Sequence, residues 1–126
     1  MLYRNFATSE QIDESAAARE QPACQLDVPF GPAIEETLDI FPAADPAAPI
    51  VVFIHGGYWR RLSAKEFSYV ARGLVRRGIT TVVTNYALCP KVTLPEITRQ
   101  SRAAVAWLRT TKHDYNGDRD RIYVAG

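Results

Sequence analysis

Two cysteines and two histidines in 126 residues leave little from which to build a disulfide framework or a metal centre. Cys24 and Cys89 stand at unrelated positions, and the expectation is two reduced thiols in a reducing, cytoplasmic compartment. An excess of charge of one sign is lacking too. Lys and Arg total 15 against 14 Asp and Glu, a net +1 that offers no field for gripping nucleic acid or an anionic membrane. Long apolar runs are missing: Ile50–Ile54 and its flank fall far below the ~20 residues that span a bilayer. Arg4, Glu10, Asp13, Glu14, Arg19 and Glu20 interrupt the opening segment, so it does not read as a secretory leader. The glycines match neither a P-loop nor a G-x-G-x-x-G turn, which argues against nucleotide binding. No internal repeat is visible. What is present is an ordinary globular balance, 47% hydrophobic and 23% charged, enough for the core of one domain.

The chain divides by pattern into an arm over residues 1–22 and a body over 23–126. In the arm, Thr8-Ser9-Glu10-Gln11 can cap a short helix running toward Ala18. Gln25–Phe30 and Ile34–Phe41 read as strands, separated from the later strands by the proline-rich loop Pro42–Pro49. Ile50–Ile54 is a continuous β-branched and aromatic run, the mark of a strand covered on both faces. Ser63 and Glu66 form a capping box, with Phe67, Val70, Ala71, Leu74 and Val75 at helical spacing and Gly78 at the exit. Ile79–Thr84 is another strand. Thr93 and Glu96 form a second capping box with Pro95 in the first turn, ahead of the stripe Ile97, Ser101, Ala104, Val105 and Leu108. Asn116-Gly117 is a turn, and Arg121–Ala125 reads as a buried strand. Strand, helix, strand, helix, strand from residue 50 implies an α/β fold with a mostly parallel sheet and flanking helices. Ligands of such sheets bind beyond the carboxyl ends of the strands.

The chemistry is concentrated after Ile54. His55-Gly56-Gly57-Tyr58-Trp59 places two glycines directly behind a buried strand, where the backbone can turn tightly and bare N–H groups. Such groups can hold a developing oxyanion, and a plain tight turn is the bland alternative. Phe53-Ile54-His55-Gly56-Gly57-Tyr58-Trp59 resembles the HGGxW element of α/β-hydrolase esterases related to hormone-sensitive lipase and kynurenine formamidase. Asn85-Tyr86-Ala87-Leu88-Cys89-Pro90 is similar to the D/N-Y-x-L-x-P segment of that family, and Leu38-Asp39-Ile40-Phe41-Pro42 to its LDxF/YxP strand end. Tyr3-Arg4-Asn5-Phe6 through Ile12-Asp13 resembles the amino-terminal arm of the formamidase-like branch, and Asp120–Gly126 the strand entering the nucleophile elbow.

The resemblance implies the amino-terminal portion of an α/β-hydrolase fold. It implies a serine hydrolase acting on small carboxylic esters or aryl formamides, without metal or organic cofactor. Gly56, Gly57 and Tyr58 would form the oxyanion hole; His55, Trp59 and Tyr86 would support the loop, Trp59 by packing under it, with substrate contact as the alternative, and Tyr86 by a structural hydrogen bond. The departure is that no G-x-S-x-G occurs, and the sequence ends at what would be the elbow's first glycine, Gly126. None of Ser9, Ser15, Ser63, Ser68 or Ser101 sits in an elbow, and His113 reads as a solvated helix-end residue. The nucleophile, acid and base are therefore expected outside these 126 residues, and the chain alone is expected to be inactive. Two alternatives stand beside this reading: one half of a split hydrolase, and a non-catalytic α/β interaction module. The partners expected are a small ester or amide, with association as a homodimer or with a complementing chain.

Overall fold

The computed structural model describes residues 8–126, so the Tyr3–Phe6 part of the arm motif lies outside the described residues. Thr8 caps the first helix, α1 (Ser9–Arg19), in a reciprocal capping box with Gln11. Strands β1 (Gln25–Pro29) and β2 (Thr37–Phe41) come next, then β3 (Ile50–Ile54). A 3₁₀ turn at Ala64–Phe67 leads into α2 (Val70–Arg76), then β4 (Thr80–Thr84), α3 (Leu94–Thr110) and β5 (Ile122–Ala125).

The five strands form one sheet in the order β1-β2-β4-β3-β5. β4 and β5 run parallel to β3 on either side of it, as the alternation from residue 50 predicts. β2 joins β4 antiparallel and β1 joins β2 antiparallel, so the sheet over the described residues is mixed, with its parallel part at β4-β3-β5. The two proline-flanked strands are joined by a short turn instead of a helical crossover, and antiparallel pairing is what a short connection permits.

Side-chain alternation splits the core between the two faces. Leu38, Ile40, Ile50, Val52 and Val82 point to the α3 side and meet Ala104, Leu108 and Tyr115. Phe41 and Val83 point the other way and meet Ala18, Ala64, Phe67 and Ala71. Every residue of β4 is buried, as expected of a strand with neighbours on both edges and both faces.

Four expectations need correction. Ile34 is not in a strand: it sits in the turn before β2 and is 84% exposed. The helix expected from Ser63 to Val75 is broken, although the Ser63–Glu66 box is present. Its cause is tertiary: Ser15 Oγ accepts the Tyr69 N–H at 3.0 Å and donates to the Glu66 carbonyl at 3.1 Å, drawing both groups out of a helical ladder. Thr93 caps α3, but the Glu96 carboxylate is taken by Arg99 and Gln100, so the second capping box is not closed. β5 is not buried. Tyr123 and Val124 are more than half exposed, because among the described residues β5 has a strand on one edge only.

Candidate active site

The carboxyl ends of β3 and β4 lie side by side, with Ile54 in register with Thr84. The loops that leave them therefore meet. The loop after β3 is strained. Gly57 has φ +124°, and Tyr58, Trp59 and Leu62 have φ of 54°, 60° and 69°, in the left-handed region that non-glycine residues rarely occupy. Gly57 is required as glycine twice over, since a Cβ there would also lie 2.4 Å from the Arg61 carbonyl oxygen. Gly56 is different: it is exposed, and nothing lies within 4 Å of where its Cβ would be. The Gly57 carbonyl accepts the Arg60 and Arg61 N–H groups at 3.2 and 3.1 Å, closing a tight turn. Tyr58 and Trp59 are 65% and 52% exposed at its crest.

The loop after β4 holds this turn. The buried Tyr86 hydroxyl donates to the His55 carbonyl at 2.7 Å, and the Cys89 N–H donates to the Trp59 carbonyl at 2.8 Å. The Ala64 N–H donates to Asn85 Oδ1 at 3.1 Å, fixing the far end. The His55 ring stacks on Tyr86 with centroids 4.3 Å apart and planes 8° apart, and on Phe67 at 5.5 Å. Its Nδ1 lies 2.7 Å from the Gly56 carbonyl, which can only accept, so Nδ1 carries the proton. Nε2 is buried with no hydrogen-bond partner among the described residues. Burial holds the His55 pKa below the ordinary 6.5, against the opposing pulls of the Gly56 carbonyl and Glu66. His55 is thus a ring wedged between Tyr86 and Phe67, with its charged form disfavoured by burial.

The expected site residues fall together: His55, Gly56, Gly57, Tyr58, Trp59 and Tyr86 form one cluster. Trp59 is the correction. Its indole does not pack beneath the loop; it stands half-exposed at a groove of about 660 Å³ also lined by Ile54, Ile97, Ser101 and Val124. The Trp59 carbonyl is held by the Cys89 N–H, while its ring and that of Tyr58 are exposed. His113 is also not merely solvated: its Nε2 meets Gln25 Oε1, tying the end of α3 to β1. Ser63 and Ser68 are spent on capping and on Lys65 and Arg19, as the sequence implies for Ser63. Burial, and then Asp39, push the Cys24 thiol up, away from thiolate chemistry. Among the described residues no three His, Cys, Asp or Glu side chains gather as metal ligands, and no helix is long and apolar enough to cross a membrane.

Sequence reasoning missed Gln100. It is 2% exposed and lies on the buried stripe Ile97, Gln100, Ala104, Leu108. The signal was available: a polar residue at helical spacing among apolar ones is a buried hydrogen-bonding group in search of a partner. That partner is the Ala87 N–H, 2.9 Å from Gln100 Oε1.

A mixed sheet flanked by helices, with a strained Gly-Gly turn off one central strand, is the amino-terminal part of an α/β-hydrolase fold. Structures of other proteins agree: esterase B from Lactobacillus rhamnosis superposes with a TM-score of 0.73 at 18% identity, over 92% of this chain and 41% of that one. A family model described as BD-FAE matches residues 38–126, and the chain belongs to that family. It is 36% identical over 90 residues to a kynurenine formamidase of Danio rerio, covering 70% of this chain and 31% of the relative. It is 32% identical over 114 residues to esterase LipQ of Mycobacterium tuberculosis, covering 86% of this chain and 27% of that protein. The chain thus spans about a third or less of the curated relatives it matches.

Proposed function

We propose that these residues supply the oxyanion-binding part of a serine hydrolase that cleaves small carboxylic esters or aryl formamides. The observation that carries the reading is the turn at Gly56-Gly57-Tyr58, left-handed at Gly57 and Tyr58, exposed at Gly56 and Tyr58 with Gly57 buried between them, and anchored at both ends by the loop after β4. Strain of this kind costs about 1–3 kcal/mol per residue and persists where surrounding structure over-determines it. A loop held in that way can present fixed N–H groups to a carbonyl oxygen as charge develops on it. Fixed donors need no reorganisation during the reaction, which is why they favour the transition state over the ground state.

In the proposed reaction a serine from outside these 126 residues attacks the ester or amide carbonyl. A histidine takes its proton, oriented by an acidic side chain, and the oxygen of the tetrahedral intermediate lies against the Gly57 and Tyr58 N–H groups, with Gly56 shaping the turn. His55 and Tyr86 hold the loop and move no proton. The names of the two relatives, a formamidase and an esterase, support a shared carbonyl-hydrolysis chemistry and bracket the substrate class. The two free thiols support a reducing, cytoplasmic location.

The exposed Tyr123 and Val124 on β5 favour a second reading, in which another chain or a second copy completes the sheet at that edge. Sedimentation of the 126-residue chain separates the cases: self-association lost in Tyr123→Lys supports edge pairing, and a monomer at all concentrations rejects it. The main reading is tested on the native protein that contains this segment. Its intact mass is measured before and after a fluorophosphonate, with hydrolysis of 4-nitrophenyl acetate and N-formylaniline monitored in parallel. One adduct and turnover of either substrate support a serine hydrolase. No adduct and no turnover reject it.

A further inference from the structure

The donors that anchor the strained turn, Tyr86 Oη and the Cys89 N–H, both belong to the segment Tyr86–Cys89. Their placement depends on what holds that segment. Ala87, between them, is 2% exposed, and its N–H has one acceptor, Gln100 Oε1. A main-chain donor buried to that degree needs its partner.

Gln100 is itself held in one orientation. Its Nε2 donates to Glu96 Oε1 at 3.3 Å, which leaves Oε1 to face Ala87. Glu96 is gripped by Arg99 through Nε at 2.9 Å to both carboxylate oxygens. Arg99 reaches on through Nη2 to Glu36 Oε1 at 2.7 Å, and Glu36 is fully buried, its other oxygen accepting the Ala33 N–H at 2.9 Å. A polar relay therefore runs from the turn before β2, across the first turns of α3, to the Ala87 amide; the backbone joins that amide to Tyr86, whose hydroxyl reaches the His55 carbonyl.

We propose that Gln100 is a positioning residue for the turn at Gly56-Gly57-Tyr58, acting through the Ala87 N–H and the Tyr86 hydroxyl. The importance of that turn for hydrolysis rests on the function proposed above; the coupling itself does not. Gln100 directs its side-chain hydrogen bonds to Ala87 and Glu96, not to the turn. Its effect is to fix the segment that carries the turn's two donors, so that losing its acceptor lets Tyr86 and Cys89 drift together.

The test is amide hydrogen exchange on the 126-residue chain, resolved by residue. Gln100→Met keeps the stem and volume and removes the acceptor. The expected result is exchange about tenfold faster at Ala87, Cys89 and Arg61, with Val52 and Val82 in the central ladder unchanged. Tyr86→Phe is expected to speed Cys89 and Arg61 but not Ala87, and the double variant to exchange at those two sites no faster than the faster single variant. Gln100→Glu combined with Glu96→Gln, which restores an acceptor to Ala87 and a donor to that acceptor, is expected to return the rates toward those of the parent. Should Gln100→Met not fold, Gln100→Asn withdraws the same acceptor with a smaller change. Unchanged rates at Arg61 and Cys89 overturn the proposal. So do rates that rise uniformly through the ladder, and so does a double variant in which the two effects multiply. A failed oxyanion reading would leave these rates as predicted and appear instead as undiminished hydrolysis in a Gly57 variant of the native protein.

Discussion

Two loops leave adjacent parallel strands at the same end of the sheet, and they solve opposite problems. The loop after β3 exposes Gly56, Tyr58, Trp59 and Arg60 and places three non-glycine residues at positive φ. The loop after β4 buries Tyr86 and Ala87, has no residue at positive φ, and turns its donors toward its neighbour. One loop is exposed and stores strain; the other is packed and contains it. A strained backbone conformation is therefore not a property of the sequence that adopts it alone. It depends on an unstrained partner with fixed hydrogen bonds.

The largest expected effect breaks the first loop directly. Gly57→Ala puts a Cβ against the Arg61 carbonyl at an unfavourable φ, and hydrolysis by the native protein should fall about 100-fold or more through displaced donors. Next comes the second loop. Tyr86→Phe leaves the buried His55 carbonyl without its donor and should lower stability by about 1–3 kcal/mol, read by urea unfolding of the 126-residue chain.

A smaller effect should appear with pH. His55 has a folded-state pKa below its ordinary 6.5, so below that pH the unfolded chain binds a proton that the folded chain resists. The stability it contributes is present above about pH 6.5 and is lost as pH falls toward the depressed folded value. Urea midpoints measured from pH 7.5 to 5 should decline, and His55→Gln should remove part of that decline. The smallest effect sharpens the contrast between the paired glycines. Gly56→Ala meets open space at an exposed position and should change stability by no more than about 0.5 kcal/mol. If it were as damaging as Gly57→Ala, the distinction drawn between them would be wrong.

Local signals in the sequence carry a good part of this structure. The β-branched runs at Ile50–Ile54 and Thr80–Thr84 declare buried strands, and Thr8, Ser63 and Thr93 mark where helical turns begin. The turn at Gly56-Gly57 is visible for the same reason: paired glycines behind a buried strand have few other uses. What is not legible depends on partners far away in the chain. Ser15 interrupts the helix after Ser63 from 54 residues before Tyr69, and no local pattern announces it. The place of the Trp59 ring escapes the sequence because no local pattern announces the left-handed backbone at Tyr58 and Trp59. The apolarity of Ile34 suggests a strand, yet the turn there is organised by the buried Glu36 carboxylate accepting the Ala33 N–H. Gln100 is legible as an anomaly in a helical stripe but not as a partner of Ala87. β5 is legible as a strand, and its exposed face is not, since exposure is set by what else packs there.

The central claim is that the turn at Gly56-Gly57-Tyr58 binds an oxyanion. It is tested most directly by a crystal structure of the native protein after reaction with a phosphonate ester. The account predicts a phosphoryl oxygen about 2.7–3.1 Å from both the Gly57 and Tyr58 nitrogens, with the Tyr86–His55 hydrogen bond intact. A phosphoryl oxygen held by other donors, with this turn facing away from it, would contradict the account.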